Sequence, residues 1–133
     1  MRVLTLATQA AASKGWPARQ EPGGDLKSEV VTQPGRTQVV NVSMAKDADG
    51  DAAAFLWSKA CELKAAPDPL SLLKLNMQLT YGRAALKGGD IVILHALLDG
   101  SADLAEVGKA IYYVAKAADE LERGVYGATV DVL

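Results

Sequence analysis

The stretch "LLKLNMQLTYGRAALKGGDIVILHALL", residues 72–98, decides the fold, because it combines a helix end, two apolar runs and a glycine turn. Leu70, Leu73 and Met77 recur at helical spacing, with Leu72 and Leu75 adjoining. Asp68 and Pro69 before them suit the N-cap and the first position of this middle helix. Two strands are predicted after this helix, at about residues 80–86 and 91–97, joined by "KGGD". A helix followed by a hairpin is therefore expected here.

Outward from this stretch toward the N-terminus, the sequence predicts a helix and then a hairpin. Apolar and small residues at helical spacing cover residues 3–14, and Gly15 follows where a C-cap glycine would lie. The glycines and prolines of residues 16–25 indicate an exposed connection. Two β-branched runs then flank Pro34 and Gly35, which fit the central positions of a type II turn.

Two further segments complete the predicted order. Residues 52–63 alternate with period two, which favours a strand, although their alanines also suit a helix. From residue 104 the apolar positions step by three or four, which predicts an amphipathic helix ending at Gly124, with Asp103 or Ser101 as its cap. The order α-β-β-β-α-β-β-α predicts an α+β fold, a twisted antiparallel sheet flanked by helices.

Length and charge narrow the classes of function. A chain of 133 residues, half of them hydrophobic, predicts one domain spanning residues 1–133. Its 14 basic and 16 acidic residues are interspersed, so we expect neither nucleic acid nor a membrane surface as a partner. No apolar run approaches the ~20 residues that span a bilayer. The single cysteine, Cys61, and the polar interruptions in residues 1–13 favour a cytoplasmic protein over a secreted one.

The acidic segment "DADGD", residues 47–51, resembles the start of a calcium-binding EF-hand loop. The glycine falls one place early, at Gly50, and Ser58 stands where a bidentate glutamate is needed. A polar hairpin turn is the preferred interpretation, and no metal site is predicted.

The residues that most often perform catalysis lack partners in the sequence. His95 is the single histidine, within an apolar run, and Cys61 has no neighbouring cation that would activate a thiolate. Gly82 before Arg83 matches no phosphate-binding motif and indicates a turn or bulge. We therefore expect no catalytic residue and no cofactor, and an enzyme is disfavoured.

Asn76 and the segment of residues 119–123 are both expected to have structural roles. Asn76, near the end of the middle helix, is expected to satisfy backbone groups at the turn into the next strand. The segment "DELER", residues 119–123, is expected to lie on a solvated helix face, where Asp119 and Arg123 can pair at i, i+4.

The chain carries more large apolar residues than its predicted core obviously requires, most of them in and around the middle helix. They are either core residues or a surface through which the protein binds a second copy of itself or another protein. The residues assigned to such a surface are Trp57, Leu70, Leu72, Leu73 and Leu75.

The combination of "LLKLN", "YGRAAL", the glycine turn, "DIVILHALL" and the closing helix resembles the YbjN family of bacterial regulators, which shares the fold of class I type III secretion chaperones. This resemblance implies a homodimer without enzymatic activity that holds another protein on apolar surface. The alternative hypothesis is a small-ligand sensor with a pocket between sheet and helices around Trp57, His95 and Tyr113.

Overall fold

The computed structural model describes residues 2–127. Its strands form one six-stranded antiparallel sheet in the order β1-β2-β3-β4-β6-β5. The elements are α1 (Arg2–Lys14), β1 (Ala18–Gln20), β2 (Leu26–Gln33), β3 (Arg36–Lys46), β4 (Ala52–Glu62), a 3-10 turn (Leu63–Ala65), α2 (Pro69–Gln78), β5 (Arg83–Lys87), β6 (Asp90–Leu98) and α3 (Leu104–Tyr126). The predicted α+β class and the order of its eight elements are confirmed.

One strand was missed. Residues 18–20, expected to be part of an exposed connection, form β1 and pair with β2 from Ala18↔Ser28 to Gln20↔Leu26. Three residues are too few to show a period of two, so the sequence carries no signal for this strand. The short strand covers part of the outer edge of β2, and such short edges limit pairing with other chains.

The hydrophobic core lies between one face of the sheet and the helices α1 and α3. The inward-facing residues of the strands, such as Val40, Leu56 and Ile93, are fully buried against the apolar stripe of α3, which includes Ile111 and Val114. The predicted spacing of that stripe is confirmed from Val107 to Ala118, whereas Leu104, its predicted first member, is 46% exposed. Within residues 2–127, every helix is too short or too polar to cross a lipid bilayer.

Side chains cap the three α-helices of residues 2–127. Asp68 accepts a hydrogen bond from the Ser71 backbone N–H at 3.1 Å, and Asp103 accepts one from Glu106 at 2.8 Å, so Asp103 and not Ser101 caps α3. The start of α1 is capped from elsewhere in the chain. Asp99, after β6, accepts from the Val3 N–H at 2.8 Å and from the Arg2 N–H at 3.2 Å.

The last helix extends past the predicted end at Gly124. It continues to Tyr126, whose hydroxyl accepts a hydrogen bond from the Glu62 N–H at 3.2 Å, and Gly127 ends it with a φ of 97°. A glycine inside a helix costs about 1 kcal/mol relative to alanine. The tertiary contact of Tyr126 at the end of β4 is a long-range feature that helix periodicity cannot reveal.

The expectation that "DELER" is a solvated surface is wrong. Asp119 is 1% and Glu122 0% exposed, and both contact Arg36 at the start of β3. The Arg36 guanidinium lies 2.7 Å from Asp119 Oδ1, and Thr32 donates to Asp119 Oδ2 at 3.1 Å. The expected pair between Asp119 and Arg123 is present at 3.6 Å. The segment therefore anchors α3 to the β2–β3 hairpin.

Candidate functional site

The middle helix α2 lies against β5, the edge strand at one end of the sheet. Asn76 fixes this arrangement, because its Oδ1 accepts from the Ala84 N–H at 2.6 Å and its Nδ2 donates to the Ala84 carbonyl at 3.4 Å. The prediction for Asn76 is confirmed. The side-chain amide thus occupies one pair of backbone groups that an edge strand would otherwise offer to another chain.

The outward side of α2 is apolar and open to solvent. The side chains at i, i+3 and i+7 on this side are Leu70, Leu73 and Met77, which are 68%, 60% and 88% exposed. Leu72 and Leu75 are half-buried, and no residue of α2 is fully buried. The helix therefore carries leucines on two sides, one toward its own protomer and one toward solvent.

The turn between α2 and β5 is held by a histidine. Gly82 has a φ of 87°, and its N–H donates to His95 Nδ1 at 3.0 Å. A Cβ at Gly82 would lie 2.8 Å from Ile93 Cγ2, so the site requires glycine for both its φ and its space. Burial, followed by the charge of Arg83, lowers the pKa of His95 below its ordinary value, which keeps Nδ1 free to accept.

The face of the sheet opposite the core carries a second group of apolar side chains. Trp57 is half-buried beside Leu94, its cross-strand partner, and Phe55 lies two residues before it on the same face. Lys87 Nζ lies 4.7 Å from the centre of the Trp57 ring, which is a cation–π contact. At the end of this face, Leu98 is 56% exposed.

The predicted sensor pocket does not form as described. Leu56 pairs with His95 across β4 and β6, so His95 points to the core face, whereas Trp57 points to the opposite face. Tyr113 does line a cleft, of about 430 Å³, on the outer surface of α3. Its ring stacks on Tyr81 at 5.5 Å, and Tyr81 in turn lies 5.6 Å from His95. The three residues named in that hypothesis therefore do not line one pocket.

The remaining candidates have structural roles. Cys61 is fully buried, and burial, followed by the charge of Asp90, raises the pKa of its thiol, so it is not activated as a nucleophile. Asp47 Oδ1 accepts from the N–H groups of Asp49 and Asp51, both at 2.9 Å. These bonds form the predicted turn between β3 and β4, where the three carboxylates lie within 4.8 Å of one another.

Several surface residues were not included among the candidates. Met77 completes the outward side of α2, and Leu86 on the adjoining strand β5 is 61% exposed. The spacing of Leu70, Leu73 and Met77 was visible in the sequence, but it is equally typical of a core-facing helix. Only the position of α2 at the sheet edge shows which of its sides faces solvent.

No protein-family model matches the sequence, and no curated protein matches it. Among solved structures, the chain is similar to a chain in the crystal structure of the ExsC–ExsE complex. The two chains are 14% identical, the match covers 92% of each, and the TM-score is 0.61. This likeness confirms the predicted secretion-chaperone-like α+β fold.

Proposed function

We propose that this protein is a non-enzymatic, chaperone-like homodimer that binds another protein through apolar surface. The observation that carries the proposal is α2, on which Leu70, Leu73 and Met77 are each more than half exposed. Contiguous apolar surface of this kind on a soluble protein is typical of a protein interface. Leu86 on β5 adds to the apolar surface at this edge of the sheet.

In the proposed dimer, the outward sides of two α2 helices meet across a two-fold axis. A two-fold contact places the same patch of each protomer against its copy. Each leucine of the patch therefore contributes to the contact twice, once from each protomer. Leu70 and Leu73 are the residues that reach the second copy. Leu72 and Leu75, which are half-buried, hold α2 on its own protomer and support the contact indirectly.

The open sheet face is the proposed surface for a different protein. Trp57, Phe55 and Leu94 offer adjoining apolar side chains there, and Trp57 is of the residue type most enriched at binding hot spots. The similarity to a chain of a two-protein complex supports a protein-binding role for this fold. A two-fold dimer would present two such faces to one extended partner.

The proposal has three further parts: the protein lacks enzymatic activity, is related to the YbjN family and is located in the cytoplasm. His95 is occupied by its hydrogen bond from Gly82, and Cys61 is buried with a raised pKa, so the two most reactive side chains are engaged in the fold. A lone buried thiol suits the reducing cytosol. The motifs of residues 72–98 support the family relationship.

Cross-linking at single positions tests the dimer geometry. Because native Cys61 is buried, a cysteine introduced at position 73 would be the accessible thiol in Leu73→Cys. A short bis-maleimide should convert this variant to a covalent dimer of about 28 kDa, twice the 13.9 kDa chain. The matched control is Leu104→Cys, an exposed leucine on α3, which should remain monomeric on a denaturing gel. Equal cross-linking of the two variants, or none, would contradict the proposed contact.

A further inference from the structure

The outer surface of α3 carries a stripe of two lysines and a tyrosine between two clefts. Lys109, Tyr113 and Lys116 lie at i, i+4 and i+7, which places them on one side of the helix. A cleft of about 430 Å³ separates this stripe from residues 78–81. A second cleft, of about 530 Å³, separates it from the end of α1. Lys109 and Tyr113 line both clefts, so the two clefts adjoin along the stripe, and together with it they are called the trough below.

Four aromatic rings contact one another in series at this trough. Trp16 stacks on Tyr112 with ring centres 6.4 Å apart, and Tyr112 meets Tyr113 edge to face at 5.2 Å. Tyr113 then stacks on Tyr81 at 5.5 Å. Tyr113 is 42% exposed and Tyr81 and Tyr112 are half-buried, so these fixed tyrosine rings offer flat apolar surface at little cost in side-chain entropy, which is a common property of binding surfaces. Trp16 is only 8% exposed and supports Tyr112 from the core.

The charge of the trough is predominantly positive. Three lysines line it, Lys14, Lys109 and Lys116, against one acidic residue, Glu120. Within residues 2–127, none of the three lysines lies in an ion pair. The whole chain has a net charge of -2, so this positive charge is a local feature.

We propose that the trough binds an acidic segment of a partner protein in which aspartate or glutamate alternates with aliphatic or aromatic residues. The lysines complement its carboxylates, and the row of rings complements its apolar side chains. Three lysines in a protein of negative net charge would neutralise few phosphates, which favours an acidic peptide over a nucleic acid. The trough is distinct from the outward side of α2, so this proposal and the proposed homodimer can fail separately.

The test uses a fluorescein-labelled peptide of twelve residues in which glutamate alternates with leucine and phenylalanine, and a copy with lysine in place of glutamate. Fluorescence anisotropy with the full chain at low ionic strength measures both affinities. The glutamate peptide should bind, the lysine peptide should not, and added salt should weaken binding. In Lys109→Glu/Lys116→Glu the affinity should fall about tenfold or more, because two attractions become repulsions.

The matched control is Lys46→Glu/Lys64→Glu, which changes the net charge equally at exposed lysines outside the trough. It should retain the affinity of the unmodified protein, whereas Tyr113→Ala should weaken binding several-fold through the loss of its ring. All of the substituted side chains are exposed, and circular dichroism would verify folding. Equal losses in the two lysine pairs would overturn the proposal. Binding of naphthalene-1-sulfonate in the trough, with no binding of the glutamate peptide, would also overturn the proposal.

Discussion

Replacing Leu73 by alanine should weaken the proposed dimer without unfolding the protomer. Leu73 is 60% exposed on α2, so few of its intramolecular contacts are lost when the side chain is shortened. In a two-fold contact each substitution counts twice, because both copies of the patch lose the same side chain. The expected result is a protein of unchanged fold and reduced tendency to associate.

The exposed fraction of Leu73 sets the size of the effect. Complete burial of a leucine is worth about 1.5–3 kcal/mol, so burying the exposed 60% contributes about 1–2 kcal/mol in each protomer. The two copies together contribute about 2–4 kcal/mol. At 1.4 kcal/mol for each factor of ten, the dissociation constant of the dimer should rise roughly 30- to 700-fold.

Sedimentation equilibrium over a dilution series measures this dissociation constant directly. Leu104→Ala is the matched control, since Leu104 is 46% exposed on α3 and lies outside the proposed contact. The control should leave the dissociation constant unchanged within a factor of about three, the scatter expected for surface substitutions of ±0.5 kcal/mol. A Leu73→Ala protein that dimerises as tightly as the control would refute the reasoning from exposed leucines.

Three further predictions concern the fold around the site. Gly82→Ala should lower the free energy of unfolding by about 1–3 kcal/mol in urea denaturation, because the new Cβ would meet Ile93 Cγ2 at 2.8 Å and φ is positive. Burial lowers the pKa of His95, so the stability that neutral His95 contributes should be complete above pH 6.5 and should be lost as the pH falls through the lower folded pKa. Melting temperatures of the protein and of His95→Ala that fall in parallel below pH 6.5 would contradict this prediction. Arg36→Met should destabilise the protein by about 3–5 kcal/mol, because it leaves the buried Asp119 carboxylate without its closest cation, and a loss under about 1 kcal/mol in urea would contradict this.

The order of elements could be read from the sequence because it depends on local patterns. The period-two alternation of residues 52–63 identified β4, and the apolar stripe from residue 104 identified α3. Asp68 and Pro69 located the start of α2 for the same reason, since capping is a contact between neighbouring residues. β1 was missed because three residues hold no periodic signal.

Burial of polar groups was the part that local patterns could not supply. The sequence predicts that Asp119 and Glu122 lie on a solvated helix face. In the structure the β2–β3 hairpin brings Arg36 against both of them. Asp99 likewise makes a contact that is distant in sequence, because it caps α1 from 96 residues away. Each contact joins positions that are distant in sequence, so neither the composition nor the periodicity of one segment predicts it.

The sequence shows that α2 is rich in leucine but not which of its sides faces solvent. The sequence picked out the leucines of α2 as surplus, but it could not separate the outward Leu70 and Leu73 from the half-buried Leu72 and Leu75. That separation depends on where α2 meets β5, which Asn76 determines through Ala84. The face on which Trp57 lies follows from strand register, and register becomes visible only with the paired strand.

The solution mass of the unmodified protein, measured by size exclusion with light scattering, tests the central claim most directly. The account predicts a mass of about 28 kDa, twice that of the 13.9 kDa chain, because the outward leucines of α2 should be buried against a second copy. A mass of 13.9 kDa at micromolar concentration and above would contradict it, since α2 would then keep its apolar side in water.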